Sequence, residues 1–452
     1  MDDRLKKVAE NVVNHSCKVT KGDNVYIQLV GEWCDLIDLI IQMIYLKGGC
    51  PLVNHISNHQ IESILNCDNK TLIENALLLW ADTDMYAMRK IDCHIEVLND
   101  KMMSDIKSPY LGMFKSIYYQ NVHSKARKER TVCGTTTRWV TVRYPSEIIF
   151  SHYQGEIDND WVLDTYSYDY KALSLKMSPL AKCLDNANHI QIISGQTNIS
   201  FSIKNKKAYI CDASVNIPDG EVYICPNKFS ASGVLEIKVP TWYAGFQFNY
   251  IKLWFENGKV IDFQSDHQED LSKILNSDEG ARYIGEFAFG TNPMIDKYIG
   301  NIIFDEKKFG TVHFALGNCL DDDPNGNRSS IHWDLIVELE EDSRVLVDNV
   351  VINSSGRFCD ENLVGLNPDI KYRKSKLMEI NKFPEGGIIS GLVGSESVYV
   401  NDDMLQIIDL IGDRAYTEKQ LYEILAQNNV DEDYIMNIVK QMQELQIIVE
   451  KF

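Results

Sequence analysis

Residues 310–336 read GTVHFALGNCLDDDPNGNRSSIHWDLI, two short runs of alternating apolar residues on either side of a polar loop. Successive side chains of a strand point to opposite faces, so each run has one apolar face and one mixed face. In the second run Ile331, Trp333, Leu335 and Val337 share a face, while His332, Asp334 and Ile336 share the other. In the first, Val312, Phe314 and Leu316 point one way, and Thr311, His313 and Ala315 point the other. An imidazole and a carboxylate one strand-step apart, backed by an apolar face, make half of a metal site.

The chain before this stretch splits into two patterns. Residues 1–16 place Leu5, Val8, Ala9, Val12 and Val13 at helical spacing. A strand over 24–30, a buried helix over 34–45 ending at Gly48-Gly49, and a strand over 51–55 form a βαβ unit, which predicts an α/β amino-terminal domain with a parallel sheet. A helix over 71–79 and strands over 91–98 and 139–144 continue it. No G-x-G-x-x-G follows a strand, so a dinucleotide site is not supported. His55, His59, His94, His123 and His152 lack metal-like spacing and are expected at surface or packing positions. From about residue 188 short strands and turns take over, predicting an α+β domain. There Pro218-Asp219-Gly220 makes a tight turn that aims Glu221 from the start of a strand. Glu286 shares a face with Ile284 and Ala288 in a further strand.

Four segments in order, NIPDGEV (216–222), GARYIGEFAFG (280–290), FDEKKFGTVHFALG (304–317) and NGNRSSIHWDL (325–335), resemble the thermophilic-type metalloaminopeptidases, the aminopeptidase T and aminopeptidase S family. RWVTVRYPSE (138–147) and the opening βαβ unit fit it too, so the resemblance spans about 1–370. It implies a two-domain homodimer that releases amino-terminal residues from peptides with a co-catalytic pair of divalent metal ions. Carried over by position, the ligands are Glu221, Glu286, His313, His332 and Asp334, with Glu221 and Glu286 also serving catalysis. Paired ions roughly 3.5–4 Å apart need a bridging carboxylate and open positions, which this set supplies. Imidazole and carboxylate without thiolate suit zinc, cobalt or manganese. The bland alternative makes the glutamates surface carboxylates and His313 a core histidine. One departure is that Leu320 stands where the family pattern H-x-x-x-G-x-x-Y carries tyrosine. Arg282 or Tyr283 is the expected replacement; otherwise the scaffold is degenerate, and the protein binds peptides or hydrolyses another amide. Asp321, Asp322 and Asp323 form a solvated loop or attract a substrate's ammonium group.

Beyond the resemblance, residues 373–395 read as a linker, with three glycines and one proline between 384 and 391. The expected layout is an α/β domain over 1–187, a catalytic domain over 188–372, and a small carboxy-terminal domain over 396–452. In the last, apolar spacing predicts helices over 403–411, after Thr417 and after Asp431, with strands over 398–400 and 447–449. This resembles a winged helix, specifically the peptide-binding module of pyrroloquinoline quinone biosynthesis, which implies capture of a precursor or leader peptide by strand addition. A packing appendage or a DNA-binding winged helix are the alternatives. The segment holds 12 acidic and 4 basic residues, a net of −8, which opposes phosphate binding.

The charge of the whole chain, −20, argues against nucleic acid or anionic membrane as a partner. Eleven scattered cysteines show no C-x-x-C pair or zinc-finger spacing. With no signal-peptide core and no apolar run that spans a bilayer, a cytoplasmic protein with free thiols is expected.

Overall fold

A computed structural model describes residues 2–99, 108–114, 116–118, 137–156, 158–319, 325–369, 371–374, 378–384, 386–391, 397–411, 416–427, 432–445 and 447–451. The chain forms two compact units, Met1–Asn367 and Pro368–Phe452.

In the first unit the strands Cys50–Ile56, Asn24–Gly31, Cys93–Asn99, Arg138–Arg143 and Asn216–Ile217 lie side by side in that order, all parallel. Helix Asp35–Leu46 makes the expected crossover, burying Leu36, Ile37, Leu39, Ile40 and Ile44. The opening helix Asp3–Glu10 is capped by Asp2, whose side chain accepts from the Arg4 N–H, and Val12 and Val13 continue its buried stripe through a wider turn. Helix Lys70–Met88 runs well past the predicted 71–79; Asn69 caps its start. Apolar contacts Ile73, Leu77, Ala81 and Met88 sustain it over the whole length.

Two antiparallel sheets follow. One has eight strands, with Thr197–Ser202 and His189–Ser194 near its middle. The other has five, in the order His332–Glu338, Thr311–Gly317, Ile284–Gly290, Glu221–Ile224, Ala208–Cys211. They meet through aromatic rings. Phe201 of the eight-stranded sheet lies 5.0 Å from Phe287 and 5.8 Å from Phe314 of the other, centroid to centroid. Such offset and edge contacts are the favoured geometries for buried rings. The five-stranded sheet thus spends its apolar face on this core and presents its other face to the segments described below.

One hydrophobic core joins residues from Leu5 to Leu366. The expected border at 187/188 is therefore no break in packing: helix Tyr170–Asp185 precedes it, yet buries Met177 and Leu180 in the same core, and Met177 Sδ accepts a 3.0 Å hydrogen bond from Thr291.

The second unit begins earlier than expected. Strand Lys371–Lys374 pairs with Tyr416–Thr417 and with the closing strand Ile448–Lys451. Glu379–Phe383, Gly386–Ser390 and Val398–Val400 form a separate three-stranded antiparallel sheet. The described part of 373–395 is thus sheet rather than linker. Gly386 and Gly387 open the second strand of a hairpin, and Ile389 is fully buried against Met404, Leu405 and Ile408. Helices Asp402–Ile411, Glu418–Gln427 and Glu432–Glu444 stand where their spacing predicts, with Thr417 Oγ1 accepting from the Gln420 N–H. No described helix is long and apolar enough to cross a membrane.

Candidate metal centre

The face of the five-stranded sheet turned away from the aromatic core collects the predicted residues. Register decides how closely. Glu286 and Asp334 both sit opposite Ala315, one from each side, so they share a row across the sheet. His313 lies in the next row, between Ala288 and Ile336, and Glu221 in the row after that, opposite Gly290. The intervening Ala315, Ala288 and Gly290 are small, which leaves room above the sheet for the longer side chains.

Glu221 starts its strand straight after the Pro218-Asp219-Gly220 turn, as its sequence implies. Gly220 has φ +127°, and a Cβ there would come within 2.8 Å of Asn292. Gly290 matters for another reason: a Cβ would lie 2.2 Å from the Lys308 carbonyl. The backbone of 306–308 crosses the face at that point, tied down by the Asn292 N–H donating to Lys307 O at 2.8 Å. This crossing delivers Glu306 and Lys307, two residues that sequence reasoning did not single out. Their signal was an acid–base pair directly before the histidine-bearing strand, inside FDEKKFG.

The Nε2 of His313 is 3.2 Å from Glu221 Oε2 and 3.8 Å from Glu286 Oε1. Two groups of ligand atoms, each within 4.8 Å of one another, share His313: Glu221 and Glu286 with it, and Glu306 and Asp334 with it. The Nε2 of His332 lies 3.6 Å from Asp334 Oδ1. Its Nδ1 is 2.9 Å from the Asn318 carbonyl, which can only accept, so Nδ1 carries the proton and Nε2 faces the site. Glu221, Glu286 and His313 are 5, 3 and 1% exposed, while His332 is exposed, so the centre opens at the His332 end. Glu221, Glu286, His313 and Asp334 thus come together, and His332 reaches them through Asp334.

The electrostatics are those of a pocket with surplus negative charge. Burial alone would push the His313 imidazolium down, but the Glu221 and Glu286 carboxylates outweigh it and hold the ring well above its ordinary value. Burial pushes the Asp334 carboxyl up. It also pushes Glu306 up to about 7, against the pull of Lys307. Lys307 Nζ is itself buried, 2.6 Å from Glu221 Oε1, 2.8 Å from Glu306 Oε1 and 3.6 Å from Asp219 Oδ1. Glu221 Oε2, Glu286 Oε2 and His313 Nδ1 are nevertheless buried with no hydrogen-bond partner. Buried acceptors without a donor are costly, and a cation relieves that cost directly. The donor set and its orphaned oxygens therefore fit a divalent metal.

The tyrosine substitutes do not materialise. Arg282 donates to Val260 O and Asn276 Oδ1, both at 2.9 Å, and Tyr283 packs edge-on to Phe229. Tyr243, which the sequence did not flag, stacks on Trp333 at 4.8 Å, and its raised phenol reflects partial burial with the Asp334 carboxylate adding to it. Leu320 and Asp321 to Asp323 lie outside the described residues. Among the other histidines, His55 bonds the Gly31 carbonyl at 2.7 Å and His152 stacks on Trp242, both packing roles.

Asp278 holds the loop that leads into the His332 strand. Its carboxylate accepts from the Gly280 and Ala281 N–H groups, the Ser329 hydroxyl, and the Ser330 N–H and hydroxyl. Partial burial pushes this carboxyl up, but those donors outweigh it and bring it to about 2. A folded value below the unfolded one means stability present above about pH 4 and lost as pH falls toward about 2. Asp278→Asn is expected to flatten that part of the acid limb in pH-dependent chemical denaturation. Lys307→Met leaves Glu221, Glu306 and Asp219 buried without their cation, and should destabilise by about 3–5 kcal/mol. Added zinc should recover part of that loss in thermal melts.

Comparison with known proteins agrees with this geometry. The family model for thermophilic metalloprotease (M29) matches residues 1–349. Aminopeptidase AmpS of Bacillus subtilis (strain 168) is 29% identical over 404 residues, 81% of this chain and 96% of that protein. Aminopeptidase 2 of Geobacillus stearothermophilus is 29% identical over 161 residues, 34% of this chain and 37% of that one. Among solved structures, wild-type AmpT from Thermus thermophilus superposes with TM-score 0.64 at 17% identity, covering 79% of this chain and 99% of that one, which shows the shared fold. A 2,5-dihydroxypyridine dioxygenase from Pseudomonas putida KT2440 has the same fold more distantly, with TM-score 0.51 at 14% identity over 79% of this chain and 98% of that one. The fold alone thus does not dictate the reaction. The family match, covering most of the chain, settles descent: this protein belongs to the thermophilic metalloproteases, family M29.

Proposed function

We propose that this metallopeptidase is a dinuclear metal-dependent aminopeptidase that removes amino-terminal residues from peptides. The observation that carries it is the clustering of Glu221, Glu286, His313 and Asp334 above one face of the sheet, with Glu306 beside His313 and Asp334 and with Glu286 Oε2 lacking any hydrogen-bond donor. Glu221, Glu286, His313, His332 and Asp334 are the residues that would hold two ions, zinc, cobalt or manganese. Divalent ions bound there supply Lewis-acid polarisation of the scissile carbonyl and make water a competent nucleophile near neutral pH. Lys307 keeps Glu221 ionised and fixes its carboxylate. Glu306, a half-buried carboxyl raised to about 7 and grouped with His313 and Asp334, is suited to take a proton from the attacking water and pass it to the leaving amine. The open His332 end gives the peptide its approach.

Metal-free protein titrated with each ion and assayed on aminoacyl arylamides is expected to gain activity, and Glu286→Gln to lose it by roughly 10²-fold or more. Stoichiometric metal binding without turnover on any peptide would instead support a binding protein on a peptidase scaffold, the reading that Leu320 motivates. A cytosolic homodimer forms part of this proposal, and sedimentation equilibrium tests the dimer.

For the second unit we propose capture of a precursor or leader peptide. In its three-stranded sheet Val398–Val400 is an edge strand, open to a further strand among the described residues. Phe383, Pro384, Ile388 and Tyr399 line a cavity of about 430 Å³ on the unit, with Phe383 and Tyr399 more than half exposed. The acidic surround favours a basic peptide and opposes nucleic acid. Deleting 368–452 should raise KM for such a peptide by roughly tenfold, about 1.4 kcal/mol of lost binding, and spare a small aminoacyl amide. Equal loss on both substrates would remove the delivery role.

A further inference from the structure

Two cysteines that play no part in the metal centre meet beside it. Cys225 directly follows the Glu221–Ile224 strand and, by strand alternation, shares a face with Glu221 and Tyr223. Cys319 lies two residues past the Thr311–Gly317 strand that carries His313. These residues are 94 apart in sequence, yet their Sγ atoms are 2.7 Å apart, and both side chains are fully buried. With Tyr223 and Ala288 they form a small cluster separate from the main core.

The meeting is built into the surrounding backbone. Asn325 donates from Nδ2 to the carbonyl of Pro226, the residue after Cys225, and to that of Ile284, each at 2.9 Å. Its own N–H points to Cys319 Sγ at 3.4 Å. One side chain thus clamps the loop after the His313 strand onto the exit of the Glu221 strand, with the two sulfurs between them. The contact with Cys225 and the Asn325 N–H also hold the Cys319 thiol below its ordinary value, against burial.

We propose that Cys225 and Cys319 are a disulfide-forming pair, reduced to two thiols or oxidised to one bond, that fastens the rim of the metal centre. With hydrogen peroxide as oxidant, the Cys319 thiolate attacks one peroxide oxygen and the O–O bond breaks. This gives a sulfenic acid at Cys319 and releases water once a proton is taken up. The Cys225 sulfur then attacks the Cys319 sulfur, the S–S bond forms, and a second water leaves with the Cys225 proton. Two thiols and one peroxide thus give one disulfide and two waters. The bond closes a long loop and so restricts the unfolded chain. It also fixes the turn whose Asn318 carbonyl holds His332 Nδ1.

The test uses the full chain carrying Cys50→Ser and Cys359→Ser, which removes two exposed thiols. After peroxide treatment, alkylation in denaturant and peptide mapping, the expected product is about two daltons lighter, with one peptide joining Cys225 to Cys319. Its Tm should rise by several degrees, and dithiothreitol should restore both thiols and the lower Tm. Adding Cys225→Ala should abolish the joined peptide and the Tm shift. Alkylation of both cysteines after oxidation, a stop at sulfinic acid on Cys319, or a bond to another cysteine would overturn the proposal. Should Cys225→Ala fail to fold, mapping of the Cys225-containing chain alone decides. None of these readouts requires metal or activity.

Discussion

Everything at the centre follows from the cost of crowding carboxylates in a buried place. Glu221, Glu286, Glu306, Asp334 and Asp219 lie around His313 and Lys307 on one face of a sheet whose other face is sealed by phenylalanines. Each ionised carboxylate taken from water costs several kcal/mol unless a cation or donor answers it. Lys307 answers part of this charge, and the proton on His313 answers part of the rest. What is left over, Glu286 Oε2 with no donor and Glu221 Oε2 with only His313 Nε2 at 3.2 Å, is a standing demand for positive charge. A protein accepts such a cost where function requires it, which is why perturbed buried acids point to sites.

The antiparallel sheet is well suited to the task. Alternation puts the candidate ligands on one face and ring packing on the other, so the same strands that build the core aim the site. Register then sets the spacing, with Ala315 between Glu286 and Asp334 and Ala288 beside His313. A one-residue slip in any of these strands would bury its candidate ligand in the aromatic layer. Rigid packing behind the strands, with Phe287 and Phe314 at 5.2 Å, holds that register. The crossing segment at 306–308 and the loop held by Asp278 and Asn325 complete the walls.

The carboxy-terminal unit has a core of its own, built from Ile389, Met404, Leu405, Ile408, Leu421, Leu425, Ile438, Val439 and Met442. Its glycine-rich stretch looks like a linker in composition because hairpin turns and linkers draw on the same residues. The difference lies in what flanks the glycines. Ile380 and Ile389 sit opposite each other across the hairpin, and Ile389 is buried in the unit's core, with Ile380 packed against it. Only pairing with Val398–Val400 reveals this.

Taken alone, the sequence determined the βαβ opening, the strand alternation around His313 and His332, and the carboxy-terminal helices, whereas the candidate set Glu221, Glu286, His313, His332 and Asp334 came from a resemblance to a known family. These are local properties: period-two and period-3.6 patterns, turns and caps act over a few residues and are written in adjacent letters. The tertiary structure decided the rest. It brought Glu306 and Lys307 onto the site, turned Arg282 and Tyr283 away, brought Tyr243 against Trp333 beside the site, merged the first two expected domains into one core, and set Cys225 against Cys319. Those outcomes depend on sheet order, on a backbone crossing at Gly290 and on contacts between residues tens of positions apart, and no local pattern encodes a distance between strands that are not neighbours in the chain.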